Sequence, residues 1–436
     1  MPRTASQPLR VGIIGFGTVG RSTAQTIAEH GDDILRRTGQ RLAVTAVCRR
    51  GEIAADAVPR GARALHDWRD VVGAADVDVV VETMGGVEAA GAVVRAALEN
   101  GKPVVTANKN LLAAQGDELF ALAQARSLPL GFEAAVAGGV PVIRAIAEGA
   151  AGDRLRAVRG ILNGTANYIL SRMEQEGLDF EAALGEAQRA GYAEADPTFD
   201  VEGWDARDKL AILARLAFGA RVRPERISRE GIRGVTAVDV HYARALGGSI
   251  RLIGAAERGD GGVELSVRPW LLARDSMLAR VAGVNNAVML IGERIGTQLF
   301  FGPGAGGPAT SIAVVGNLIE IAAARAAGRL GAKPVPGFAV SEELPACAAP
   351  PPAQWYLRLT VADRPGILAR VAAILAAQGI NIDAVAQEPG MEKARLSFVV
   401  TTEAASEASV QRAREEIDAC DFMRAPILLL RCELGG

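Results

Sequence analysis

The densest grouping of residues able to do chemistry runs Gly191-Tyr192-Ala193-Glu194-Ala195-Asp196-Pro197, followed by Asp200, Gly203, Asp205 and Lys209. Glu194, Asp196 and Asp200 supply negative charge suited to a substrate ammonium. On a helix beginning near Asp205, residues 205, 209, 212, 213 and 216 share one face. Ile212, Leu213 and Leu216 make that face apolar, with Arg207, Asp208 and Arg215 directed elsewhere. Asp205 and Lys209 therefore stand on a buried stripe at i,i+4 spacing. A surface ion pair contributes about 0 to 1 kcal/mol and normally sits on the polar face, so this placement suits a cleft. There a lysine gives a proton to an oxygen becoming an alkoxide, while Asp205 orients it and modulates its pKa. A calcium loop competes for these acids, but the spacing and the missing downstream Glu do not fit an EF-hand.

A second grouping, Gly15-Phe16-Gly17-Thr18-Val19-Gly20, directly follows the apolar run Val11 to Ile14 and opens a helix through about Glu29. The glycines permit a tight turn and close approach of the backbone to a pyrophosphate, whose charge meets the helix N-terminus. A Gly-rich turn without a ligand is the alternative. The second strand ends at Val47-Cys48-Arg49-Arg50, with no acid between Asp33 and Glu52 to bind a ribose 2′-hydroxyl. A guanidinium there suits a 2′-phosphate, predicting NADP(H) over NAD(H) and assigning that preference mainly to Arg49; solvated turn arginines are the other reading. Glu82-Thr83-Met84 and Thr106-Ala107-Asn108-Lys109 also end strands, where doubly wound sheets place ligands. Thr83 can touch the nicotinamide ribose side, and Lys109 can hydrogen-bond a carbonyl oxygen beside the transferred hydride.

The elements that must position these groups follow from periodicity. Val11 to Ile14, Leu42 to Val47, Val77 to Val81 and Val104 to Thr106 alternate with helical stretches, the βαβ rhythm of a parallel sheet covered on both faces. Asp153 to Ala220 reads as helical, and Ser249 to Phe301 as strand-rich. Three prolines in EELPACAAPPPA cannot sit inside a helix or central strand. Beyond them the pattern is strand, helix, strand, strand, helix, strand, a ferredoxin-like βαββαβ module. The fold class is thus an α/β Rossmann domain, an α+β domain and the βαββαβ module. The expected boundaries are 1–145, 146–340 (with the 300–330 helix able to return to the Rossmann sheet), a linker at 341–353, and 354–436.

At 436 residues the chain is too long for one compact domain. A net charge of −2 gives no global field for nucleic acid or an anionic membrane. Aromatics at 4% supply no stacking platform for bases. Cys48, Cys347, Cys420 and Cys432 lack C-x-x-C spacing and the three histidines form no cluster, arguing against a disulfide framework or a zinc site. MPRTASQPLR holds no apolar core of a signal peptide, and no run of 18 apolar residues occurs, so a cytoplasmic protein is expected.

Taken together the residues resemble homoserine dehydrogenase, the NAD(P)-linked family interconverting aspartate semialdehyde and homoserine. The resemblance covers nearly the whole chain. It rests on the Gly15 turn, Thr106-Ala107-Asn108-Lys109, Gly160-Ile161-Leu162-Asn163-Gly164-Thr165-Ala166-Asn167-Tyr168, the Gly191 to Lys209 signature and Gly302-Pro303-Gly304-Ala305-Gly306. It implies Lys209 as proton donor, Lys109 as a second catalytic or carbonyl-binding lysine, and Glu194, Asp200 and Asp205 as homoserine-binding residues, with Gly191 near cofactor and substrate. It adds Gly304 and Gly306 to the cofactor site and makes the middle α+β domain the catalytic and dimerisation domain. It implies a monovalent cation, Na+ or K+, on Glu133 and the carbonyls of Val136, Gly138 and Val140, where a plain Gly-rich turn is the alternative.

Gly307-Pro308-Ala309-Thr310-Ser311 departs from the family's usual continuation, and Asn317 stands where an acid is common. After the linker, Asp363-Arg364-Pro365-Gly366 and Gly379-Ile380-Asn381-Ile382 resemble an ACT domain, implying an effector pocket at Asp363, Gly366 and Asn381, with a purely oligomeric ACT domain as the alternative. By resemblance threonine is the effector, and a homodimer or homotetramer is expected. A non-enzymatic metabolite sensor built from the same two modules is the alternative class; it has no need of a proton-donating lysine beside Asp205. Another amino-acid dehydrogenase is a third reading, less compatible with the Glu194 to Lys209 spacing.

Overall fold

The computed structural model describes residues 7–388 and 393–435; the first six residues of the N-terminal stretch read above lie outside it. The chain forms two compact units that do not follow chain order: 1–158, 208–226 and 286–344 in one, and 159–207, 227–285 and 345–436 in the other.

In the first unit six strands form a parallel sheet: β1 (Leu9–Ile14), β2 (Leu42–Cys48), β3 (Arg63–Leu65), β4 (Val79–Glu82), β5 (Val104–Thr106) and β6 (Leu130–Gly131). The order is β3-β2-β1-β4-β5-β6, so the direction of winding reverses between β1 and β4. Val11, Ile13, Val79 and Val81 are fully buried, as both faces of a parallel sheet require. The connecting helices are α1 (Thr18–Thr38), α2 (Trp68–Val72), α3 (Glu88–Glu99) and α4 (Lys109–Ala125). Helix α1 runs past the expected Glu29 through Gly31 and ends at Gly39, whose left-handed φ of 72° lets its N–H reach Leu35 O. The late helix Gly307–Ala326 packs on α1, with Thr26 Oγ1 and Ser311 Oγ 2.8 Å apart. It is the one helix among the described residues long and apolar enough to cross a membrane. Val314 and Leu318 are fully buried, and just over half of that apolar stretch lies inside the protein.

In the second unit a mixed sheet runs in the order Gly248–Gly259, Gly262–Ala273, Met423–Glu433, Gln354–Val361, Leu396–Thr402 and Ile382–Ala386. The last four strands, with helices Ile367–Ala377 and Glu407–Asp418, form the βαββαβ module. Its final strand pairs in parallel with Gly262–Ala273 at Trp270↔Arg431, so its sheet is continuous with the hairpin before it. The proline-bearing segment 341–353 contains no regular element. It is tied down nonetheless, by bridges Val263↔Ala346 and Asp260↔Ala349.

Two local expectations change. Residues 155–161, inside the stretch read as helical, form a strand, because Leu155, Ala157 and Val158 are buried while Arg156 is exposed, a strand-like rather than helical distribution. On the Trp204–Phe218 helix, Asp208 and Arg215 are not directed to solvent, since both are buried. Arg215 donates to both carboxylate oxygens of Asp117 at 2.7 and 3.2 Å and to Val222 O at 3.1 Å, over the Phe338 ring. An arginine satisfied on three sides can enter the core.

Candidate active site

The glycine turn is dictated by contact. Gly15 has φ 98°, and an added Cβ would lie 2.5 Å from the Thr83 carbonyl carbon; at Gly20 it would lie 2.3 Å from Gly15 O. Those two glycines let β1, β4 and α1 meet. Gly17, at the N-cap of α1, has nothing within 4 Å of the missing Cβ, leaving its backbone open to a ligand. Thr83 Oγ1 donates to Gly15 O at 2.7 Å and fixes the turn. Phe16 is buried in the core, so only its backbone can face a ligand. Thr18 and Val19 form the first turn of α1, and Val19 O accepts from Thr23 Oγ1 at 2.9 Å. Arg49 follows the end of β2 with its side chain exposed and its N–H held by Leu65 O at 3.1 Å. These groups fit a dinucleotide at the winding reversal, where helix N-terminus and strand ends converge.

Gly304 and Gly306 precede the Gly307–Ala326 helix. A Cβ on Gly304 would lie 2.0 Å from Asn286 Cγ, and Gly306 caps the helix with φ 99°. The departing segment 307–311 forms that helix's first turn, with Pro308 where no N–H is needed and Gly307 close to Ser22 Oγ of α1. Lys109 is the first residue of α4 and half-buried. Asn108 sets it there, accepting from Leu111 N at 3.1 Å and donating to Gly86 O at 2.6 Å.

Glu82, to which no role attached from sequence, is fully buried at the end of β4. Burial raises its carboxyl pKa, against Thr106 Oγ1 and the Met84 N–H, which donate to it at 2.6 and 2.7 Å. Burial likewise pushes Cys48 up to about 11 and Cys432 up to about 12, so neither offers a thiolate at neutral pH.

Glu133 is buried, and its carboxylate accepts Ile143 N at 2.9 Å and Arg144 N at 3.1 Å, while its own N–H donates to Asn317 Oδ1 at 3.0 Å. Burial raises its pKa, and the two N–H groups oppose the rise. Asn317 thus meets the main chain and does not stand in for a missing acid. In the Val136 to Val140 loop, Ala137 and Gly138 are left-handed at φ 57° and 54°, and Val140 O accepts from Val142 N at 2.8 Å. Among the described residues no group of three His, Cys, Asp or Glu side chains forms a metal cluster, so any ion here would rest mainly on carbonyls. A cavity of about 630 Å³ reaches Glu133, Arg144 and Asn317 without touching the glycine turn.

In the second unit, Gly191, Glu194 and Asp196 lie on an exposed loop after helix Phe180–Arg189, with Gly191 at φ 75°. Thr165 Oγ1 donates to Tyr192 O at 2.7 Å and Gln188 Nε2 to Glu194 O at 3.1 Å, which hold that loop. Asp196 turns back to cap Thr198 N at 3.0 Å. Asp200 and the buried Asp205 both accept from Asn163 Nδ2, at 2.7 and 2.9 Å. Asn163 lies in the Gly160 to Tyr168 motif, in which nothing signals this junction. Lys209, which belongs to the first unit, is half-buried one turn beyond Asp205 on helix Trp204–Phe218.

In the βαββαβ module, Asp363 and Gly366 line a cavity of about 170 Å³ with Val361, Leu368, Val385 and Phe398. Gly366 opens the following helix at φ 92°. Asn381 is not among the lining residues; its Nδ2 donates to Glu403 Oε2 at 3.1 Å.

Residues 15–133 match the family model described as homoserine dehydrogenase, NAD binding domain, residues 141–319 that of homoserine dehydrogenase, and 355–422 that of the ACT domain. The chain is 41% identical to a homoserine dehydrogenase of Pseudomonas aeruginosa, over 98% of this chain and 99% of the relative. It is 39% identical to one of Neisseria gonorrhoeae with the same coverage. Among solved structures, a homoserine dehydrogenase from Thiobacillus denitrificans superposes with a TM-score of 0.91 at 40% identity, covering 98% of this chain and 99% of that one. A hyperthermophilic archaeal homoserine dehydrogenase in complex with NADPH aligns at TM-score 0.62 and 29% identity, over 72% of this chain and 97% of that one.

Proposed function

This chain belongs to the homoserine dehydrogenase family, NAD(P)-dependent oxidoreductases, and on that premise we propose that it reduces L-aspartate 4-semialdehyde to L-homoserine in threonine and methionine biosynthesis, in the cytoplasm. The observation that carries the assignment to a reaction is the junction of Asn163, Asp200 and Asp205, with Lys209 one turn along the same helix. Glu194, Asp200 and Asp205 take the substrate ammonium. Lys209 gives a proton to the aldehyde oxygen as it becomes the homoserine hydroxyl, and Asp205 orients that lysine. Lys109 hydrogen-bonds the same oxygen. A nicotinamide cofactor, when bound, supplies the hydride. Gly15 to Gly20, Thr83, Gly304 and Gly306 would hold it, with Gly191 beside both ligands.

In this reading residues 1–145 bind cofactor, 146–340 carry catalysis and oligomerisation into a homodimer or homotetramer, and 354–436 regulate. Glu133 with the carbonyls of Val136, Gly138 and Val140 takes a monovalent cation. Threonine is the effector, at Asp363 and Gly366. The test is oxidation of NADPH by the purified protein with aspartate semialdehyde, with and without threonine. No turnover with either NADPH or NADH overturns the proposed reaction, and a rate insensitive to threonine overturns the regulatory part.

Arg49 carries the preference for NADP(H) in this reading. Its exposed guanidinium at the end of β2 pairs with a 2′-phosphate. Arg49→Glu replaces attraction by repulsion, so the ratio of kcat/KM for NADPH to that for NADH falls by about tenfold or more, the equivalent of one charge-assisted hydrogen bond. An unchanged ratio removes Arg49 from cofactor selection.

A further inference from the structure

We infer that Asn163 is a positioning residue for the substrate ammonium site, holding the Asp200 and Asp205 carboxylates in register through its single amide nitrogen. The inference rests on the proposed reading that these carboxylates receive the ammonium group.

The amide is oriented by its neighbours. Asn163 is the N-cap of helix Gly164–Glu176, and its Oδ1 accepts from Ala166 N at 2.7 Å. A cap needs an acceptor, so the NH2 must face the other way. Its two hydrogens then meet the two carboxylates, at 2.7 Å for Asp200 and 2.9 Å for Asp205. Asn163 is 4% exposed, and every hydrogen-bonding position on its amide that faces the protein is used.

The helix behind it is pinned. Asn167 Nδ2 donates to Val281 O and Gly283 O at 3.2 and 2.9 Å, and Ser171 Oγ accepts from Gly283 N at 3.2 Å. Gly164 admits no side chain, because a Cβ would lie 2.6 Å from Val284 O. Thr165, the next residue, fixes the Glu194 loop through Tyr192 O. Asn163 and Thr165 thus fasten the separate pieces of the acidic site to one helix terminus, which Gly164 lets pack against Val284. The donor between the two carboxylates is neutral, so it joins them without adding the like-charge repulsion that a third carboxylate would bring.

Asn163→Asp separates this role from capping. Aspartate caps a helix about as well as asparagine, but it removes both donors and sets a third carboxylate beside the two. The expected result is a KM for homoserine raised about 10- to 100-fold, a KM for the oxidised cofactor changed less than about twofold, and a thermal midpoint close to wild type. The ratio of variant to wild-type KM narrows as the pH is lowered, because a protonated carboxyl at 163 donates a hydrogen bond again. Asn163→Ala, which loses cap and donors together, raises the same KM and also lowers the midpoint. Wild-type homoserine KM in Asn163→Asp, with a destabilised Asn163→Ala, makes the residue a cap alone and overturns the inference. A wild-type protein without homoserine-dependent reduction of either cofactor overturns the reading beneath it, and the inference with it.

Discussion

Lys209→Ala lowers kcat about 10²- to 10⁴-fold, the range spanned by loss of a general acid, while the KM for cofactor and the thermal midpoint stay near wild type. The helix that carries Lys209 is held by other residues. Leu210, Ile212 and Leu213 are fully buried, and Arg215 is locked to Asp117 and Val222. Removing a half-buried ammonium therefore leaves the scaffold in place, and a loss of rate reports on chemistry. Lys209→Arg sharpens the test. Guanidinium keeps the charge beside Asp205 but does not release a proton in proteins, so it too turns over slowly if the residue is a proton donor. Near-native turnover in Lys209→Ala removes that role; near-native turnover in Lys209→Arg alone reduces the lysine to an electrostatic contact.

The parts of this site that were legible in the sequence are those whose constraint is local. The run of glycines from Gly15 to Gly20 opening α1 and the Asp205 to Lys209 spacing on one helix each involve residues within two turns of one another, although the packing of Gly15 against Thr83 does not. What stayed hidden depends on distant partners. Arg215 reads only as directed away from the apolar face, because Asp117, its partner, lies far off in the chain. Glu133 reads as a cation ligand, and nothing in that motif signals that its oxygens also accept the Ile143 and Arg144 N–H groups, ten and eleven residues on. Asn163 sits in the Gly160 to Tyr168 motif, but the two carboxylates it meets arrive from residues 200 and 205. The departing 307–311 segment was harder to judge from sequence than from structure, because what decides it is the space beside Ser22 and Thr26 on α1.

The βαββαβ module offers the same lesson and the largest expected effect on stability. Read along the chain, it follows a proline-bearing segment as a separate piece; in the fold, its first strand meets helix Ala237–Ala245 through Asp239. That carboxylate is 0% exposed. It closes the helix's capping box with Thr236, accepting its N–H at 2.7 Å and its hydroxyl at 2.8 Å, and it also accepts Tyr356 OH at 3.0 Å and the Arg358 guanidinium. Burial, then the neighbouring carboxylate, holds the Tyr356 phenol well above its usual pKa, so it remains a donor. Asp239→Ala therefore takes an acceptor at one stroke from a helix-terminal N–H, from the Tyr356 phenol and from the largely buried Arg358 guanidinium, which keeps only the neutral oxygens of Thr236 and Gly234. The expected cost is about 3 to 5 kcal/mol, as for a buried ion pair deprived of one partner. Tyr356→Phe, which removes one donor and leaves the charge pair intact, costs about 0.5 to 1.5 kcal/mol. Guanidinium unfolding of the two variants beside wild type measures the difference, with midpoints compared because a chain of two units need not unfold in one step. Equal, small losses in both would mean that Asp239 is replaceable by water and that the first strand of the module is held by its sheet neighbours alone.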